Sequence, residues 1–204
     1  MKQRNGKSSA LFLTTFLVHG FLTKLISETL HEIGHGIFVI IFGGKVLEIF
    51  ISVLWPLQHS WIRWSLPENI GNYELSIIYA GGILLCLIVS FSLQAYLHLR
   101  RNPWIISLPL AWLSFWCFLN GVGYLILGGL TSYGDIKNLI KLGYLTNLSS
   151  VAIGLCLFAV GFPSLFKIFF NIFSEKLSEK RSMFAVAIFW MQIPVYCYLF
   201  ISSF

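Results

Sequence analysis

Residues 8–44 read SSALFLTTFLVHGFLTKLISETLHEIGHGIFVIIFGG, an apolar stretch that carries Lys24, Glu28, His31, Glu32 and His35. Ionisable groups at membrane depth are costly, so they face a bundle interior or a water-filled cavity and usually mark function. Lys24, Glu28, His31 and His35 follow one another at steps of four, three and four, which makes one polar stripe along a helix. Within it, His31-Glu32-Ile33-Gly34-His35 is an H-E-x-x-H run. Two imidazoles four residues apart can reach one metal ion, and Glu32 is placed to take the proton of a water activated by that metal. A plain alternative holds for Lys24 and Glu28, which could pair simply to pack the bundle.

Composition agrees with a membrane setting. The chain has 204 residues, 57% hydrophobic and only 11% charged. A soluble domain carries about 25% charged residues, so this surface cannot be covered by polar groups. The net charge of +6 comes from short Lys/Arg clusters between apolar spans, a topogenic pattern that does not point to nucleic acid. Cys86, Cys117, Cys156 and Cys197 lie in different apolar spans without ligand spacing and read as small buried hydrophobes.

Further uncharged stretches long enough to cross a bilayer are 76–97, 103–134 (overlong and broken), 142–166 and 182–204. The first segment is one long helix or two helices with a tight break. One helix gives five spans with an inside N-terminus and eight basic residues inside against four outside, in accord with the positive-inside rule. Gly43-Gly44 ends this helix. Residues 45–55 then read as a strand stopped by Pro56, and 60–65 as a return strand. Trp55, Trp61 and Trp64 suit the membrane interface. The expected fold is therefore all-α and polytopic, with about five or six transmembrane helices and a small strand-like hairpin after the first. It is a single integral membrane domain over 1–204, with its core at about 8–143 and C-terminal helices at about 144–204.

A metal held by His31 and His35 needs a third ligand. Asp135, the only aspartate, follows a run with five glycines in 120–134. Those glycines mark close packing or an unwound stretch. Asp135 is the leading candidate for ligand, although it would also serve as the N-cap of a short helix over 136–142. His59, His98 and Glu74 compete. His59 sits beside a proline turn, His98 stands next to Arg100 and Arg101 at a membrane edge, and Glu74 just precedes a span. His19 lies at another depth.

These features resemble the site-2 protease family of intramembrane zinc metalloproteases, in its small, divergent branch. HEIGH carries the resemblance, together with Ala80-Gly81-Gly82, Asn120 and Gly134-Asp135, over about residues 8–143. Gly82 stands where the family often has Pro, and Ile136 where it often has Gly. The resemblance implies a Zn²⁺ ion held by His31, His35 and Asp135, and Glu32 as the catalytic base. It implies Asn120 as a substrate-binding residue, and membrane-spanning proteins in the bilayer as substrates. A different class of function also fits: a membrane protein that binds metal without hydrolysis, such as a transporter or an inactive homologue. A surface-facing zincin with Glu74, Glu175 or Glu179 as ligand is a third.

Overall fold

The computed structural model describes residues 4–53, 58–100, 102–175 and 185, with the side chains of 4–10 excluded. The span expected at 182–204 lies outside the described residues but for Ala185, as do Trp55, Pro56, Arg101, Glu179 and Cys197.

The first segment is unbroken. Helix α1 runs Arg4–Ile41 over 38 residues. No proline interrupts it, and its end follows from two glycines. Gly43 has φ +78°, a left-handed conformation that suits a residue without Cβ. The Gly44 N–H donates to the Val39 carbonyl at 2.8 Å and the Gly43 N–H to that of Ile40 at 3.0 Å, which closes the helix as a Schellman motif. The chain then forms an antiparallel hairpin of β1 (Lys45–Phe50) and β2 (Trp61–Ser65). Leu47 is bulged between the Val46–Trp64 and Glu48–Arg63 pairs. Strand β1 stops at Phe50, short of the expected 45–55. The backbone beyond turns so that the Ser52 carbonyl accepts from Lys24 at 3.1 Å and its N–H donates to Ser60 Oγ at 3.1 Å.

Helix α2 spans Asn72–Leu99 and α3 Trp104–Phe118. A π-helical turn at Leu119–Gly123 joins α3 to α4 (Tyr124–Thr131). The glycine-rich stretch thus remains helical to Thr131, and several of its glycines serve close packing. A Cβ on Gly121 would meet Leu87 at 2.6 Å, and one on Gly128 would meet Ile136 at 2.8 Å. Helix α5 covers Gly134–Lys141 and ends on Gly143, at φ +81°. Helix α6 runs Asn147–Ser174, opened by a capping box between Thr146 and Ser149. It starts later than the expected 142–166 because residues 142–146 are spent on the turn and cap. It also continues through Lys167.

The structure is mostly helical, and among the described residues four helical segments are long and apolar enough to cross a membrane: Leu11–Ile41, Asn72–Leu99, Trp104–Thr131 and Asn147–Ser174. Leu11, Leu13, Leu17 and Phe21 of α1 are exposed, as are Leu155 and Val160 of α6. Such surfaces suit lipid. The polar stripe of α1 points inward instead, with Lys24, Glu28, His31 and His35 all buried. The main core lies on α3. There Trp112, Phe115, Trp116 and Phe118 pack against Phe12 and Phe16 of α1 and against Leu165, Phe169 and Phe173 of α6.

Helices α1 and α2 approach backbone to backbone. A Cβ on Gly81 would fall 2.5 Å from the Gly34 carbonyl oxygen, and one on Gly34 would overlap that of Gly81. Gly34→Ala should therefore destabilise the fold by about 1–3 kcal/mol, the usual cost of overpacking. A Cβ on Gly123 meets nothing within 4 Å, so Gly123→Ala should be neutral or stabilising by up to ~1 kcal/mol. Thermal unfolding in detergent checks the pair, and equal midpoints would contradict the crossing.

Candidate metal centre

His31 and His35 sit one turn apart on the buried face of α1, and their side chains point to α5. Helix α5 is short and amphipathic. It is seated by Ile136, which is fully buried, and by Leu139 against Ile83 and Leu125. That anchoring fixes the adjacent Asp135. The N-cap of α5 is Tyr133, not Asp135, and Asp135 lies in the first turn without making a capping bond. Its carboxylate is instead directed at the histidines, which removes the expectation of a simple cap.

Asp135 Oδ2 lies 3.1 Å from His31 Nε2 and 3.3 Å from His35 Nε2, and the two Nε2 atoms are 3.2 Å apart. Ligands placed tetrahedrally at the usual zinc distances of ~2.0–2.1 Å would be about 3.3–3.4 Å from one another. The three atoms thus outline one face of a coordination tetrahedron, and the group could hold a metal ion. The tautomer fits as well. His35 Nδ1 donates to the Ile78 carbonyl at 2.7 Å, which turns Nε2 toward the site, where it holds a proton against Asp135 or, once deprotonated, offers its lone pair to a metal. Among the described residues His31 Nδ1 is buried without a hydrogen-bond partner. Burial alone would raise the pKa of Asp135, but the facing charge of His35 and the hydrogen bonds from both histidines outweigh it. The carboxyl is held well below the ordinary range. A metal ligand must be in that ionised form.

Three residues that the motif does not mark shape the centre. A Cβ on Gly82 would fall 2.6 Å from His35 Nε2 and 2.8 Å from His31 Nε2, so the bare backbone there leaves space beside the donors. Gly134, at φ +59°, turns the chain into α5, and a Cβ there would press on the Tyr124 ring at 3.2 Å. Tyr124 in turn packs on His31, with ring centroids 5.0 Å apart. Gly134 was legible as a glycine before Asp135. Gly82 was marked only as part of Ala80-Gly81-Gly82; the space it leaves beside the donors, and the packing of Tyr124 on His31, depend on contacts across helices.

Glu32 is buried and lines the same cleft as the three donors, which has a volume of about 460 Å³. Strand β2 contributes Trp61, Ile62 and Trp64 to its lining, and α5 contributes Lys137, Asn138 and Lys141. Asn120 is elsewhere. It lies buried in the π turn, and its amide donates to Ser27 Oγ at 2.9 Å and to Glu28 Oε1 at 3.2 Å. It is not among the residues that line the cleft.

The competing ligands are not brought to the donors. Glu74 is in the first turn of α2. His98 bonds Ser164 at 2.9 Å and lines a separate cleft with Glu175. His19 Nδ1 donates to the Thr15 carbonyl at 2.8 Å. His59 stacks near Tyr133, with ring centroids 5.4 Å apart.

Purified protein should contain close to one equivalent of metal by elemental analysis. His31→Ala, His35→Ala and Asp135→Ala should lose it, and Glu74→Ala should keep it. Gly82→Ala leaves every donor in place yet should weaken metal binding on the order of 10–100-fold, comparable to the loss of a supporting partner. Equal metal content in all variants would refute the assignment.

No family model, curated protein or solved structure matches this chain.

Proposed function

We propose that this protein is an intramembrane zinc metalloprotease that hydrolyses peptide bonds of membrane-spanning substrates, similar to the site-2 protease family. One observation carries the reading: Asp135, distant in sequence, meets both histidines of H-E-x-x-H in a cleft that also exposes Glu32. Two imidazoles and a carboxylate suit zinc, and three protein ligands leave a position open, as catalytic sites require. A zinc ion bound there supplies Lewis-acid chemistry, acidifying water to a pKa of about 7 and polarising a carbonyl.

Glu32 has the part of general base. Its carboxylate accepts a proton from the attacking water and passes it to the leaving amine. His35 is held in the required tautomer by Ile78, and Asp135 is held in place by the seating of α5. The bundle keeps the reacting groups away from lipid, while the cleft beside β2 admits a segment of substrate. A helical substrate must unwind first, because its amides are otherwise hidden within the helix.

In the bilayer the chain is a multi-pass protein of five spans with its N-terminus inside. The unsplit α1 and the distribution of basic residues support this arrangement. Single cysteines placed at 68 and at 100 should then be labelled from the outside and the inside respectively. Labelling of both from one side would reject it.

Glu32→Gln keeps size and polarity but cannot accept a proton. Zinc content should be nearly unchanged, and cleavage of a membrane-spanning test substrate should fall by about 10²–10⁴-fold. Equal cleavage by both proteins would overturn the mechanism. Zinc binding by both, with no cleavage across a broad substrate panel, would favour a metal-binding protein without hydrolytic activity.

A further inference from the structure

The cleft has a charge asymmetry that the metal centre does not use. Gly134, Lys137, Asn138 and Lys141 all line it. They recur at steps of three and four and so form one face of α5. The opposite face is the buried one, with Ile136 and Leu139, so the helix cannot turn this wall away without giving up its anchor. Both lysines are exposed, and neither forms an ion pair among the described residues. Apart from Glu32 and Asp135, no carboxylate among the described residues lines the cleft.

Other lining residues are of another kind. Trp61 and Trp64 of β2 and Tyr79 of α2 also line the cleft; Trp64 lies 6.1 Å from the His35 ring and 5.9 Å from Tyr79, centroid to centroid. A segment lying in the cleft therefore meets both aromatic surface and two cations. From Gly134 to Lys141 the helix rises about 10 Å, which is the length of about three extended residues. Helix α5 is too short to cross a bilayer, and Asp135 sets its first turn at the depth of His31 and His35.

We infer that the cleft selects membrane-spanning substrates with acidic residues within about three positions of the cleaved bond, and that Lys137 and Lys141 are the specificity-determining residues. The inference rests on the proteolytic reading and names its substrate class. Each lysine acts as a partly solvated cation, so the preference is modest and sensitive to salt.

The test separates binding from cleavage. Zinc-loaded Glu32→Gln protein in nanodiscs is titrated with fluorescent membrane-spanning peptides that differ only by two Glu, two Gln or two Lys beside the apolar segment. The Glu peptide should bind about three- to tenfold more tightly than the Gln peptide, and the Lys peptide more weakly. Lys137→Glu/Lys141→Glu in the same background should reverse the order with zinc content unchanged. Equal binding of the three peptides overturns the inference, as does a preference that survives the charge reversal, which would place its origin in the lipid headgroups. Cleavage by the otherwise wild-type protein is read separately. Cleavage indifferent to charge removes the inference and leaves the protease. Charge-selective binding without any cleavage supports the two lysines and removes the protease.

Discussion

The close approach of α1 and α2 at Gly34 and Gly81 is the constraint on which the site depends. Side chains normally hold helix axes 8–10 Å apart. Small residues let backbones come closer, which membrane helices exploit because burial of apolar surface cannot drive their association. Here the contact has a chemical consequence. It brings the Ile78 carbonyl within 2.7 Å of His35 Nδ1, and it places the bare backbone of Gly82 beside both Nε2 atoms. One crossing thus sets the tautomer of a donor and the space in front of it.

The third donor arrives by a different route. Asp135 is on neither helix of the crossing but at the start of α5, which is held by apolar contacts. Gly128 makes room for Ile136, Ile83 and Leu125 complete the seat, and Gly134 provides the left-handed turn that precedes it. A carboxylate on a loose loop would lose conformational entropy on binding a cation. On a docked helix most of that loss accompanies folding.

Much of this was legible in the sequence, and the limits have physical causes. The i, i+4 histidines, the inward stripe and the Gly43-Gly44 stop are local patterns, and the structure keeps all three. Asp135 could be singled out because it has no rival aspartate, yet its cap-or-ligand ambiguity could not be resolved locally, since the deciding contact spans 104 residues. The glycines of 120–134 suggested packing or unwinding. The structure keeps the helix to Thr131 and inserts a π turn, while Gly121, Gly128 and Gly129 make room for Leu87, Ile136 and Val151 on neighbouring helices, contacts that no local pattern reveals. The end of β1 was misplaced because apolar residues after Phe50 continue the strand pattern, whereas Lys24 draws the Ser52 carbonyl away from it.

Asn120 shows how a polar residue near a site can act without entering it. Its amide joins Ser27 and Glu28 of α1 to the π turn, and Glu28 lies one helical turn before Glu32. Lys24, a turn earlier, reaches the Ser52 carbonyl beyond β1. The buried stripe therefore has two regions of use. Its C-terminal part presents His31, Glu32 and His35 to the cleft, and its N-terminal part fastens α1 to the hairpin and to α3–α4, the two units that bound the cleft. Buried polar groups are tolerable when their hydrogen bonds are met, and these bonds meet them across elements. The hairpin, the π turn and the donor face of α1 are in this way held to one another by the same line of side chains.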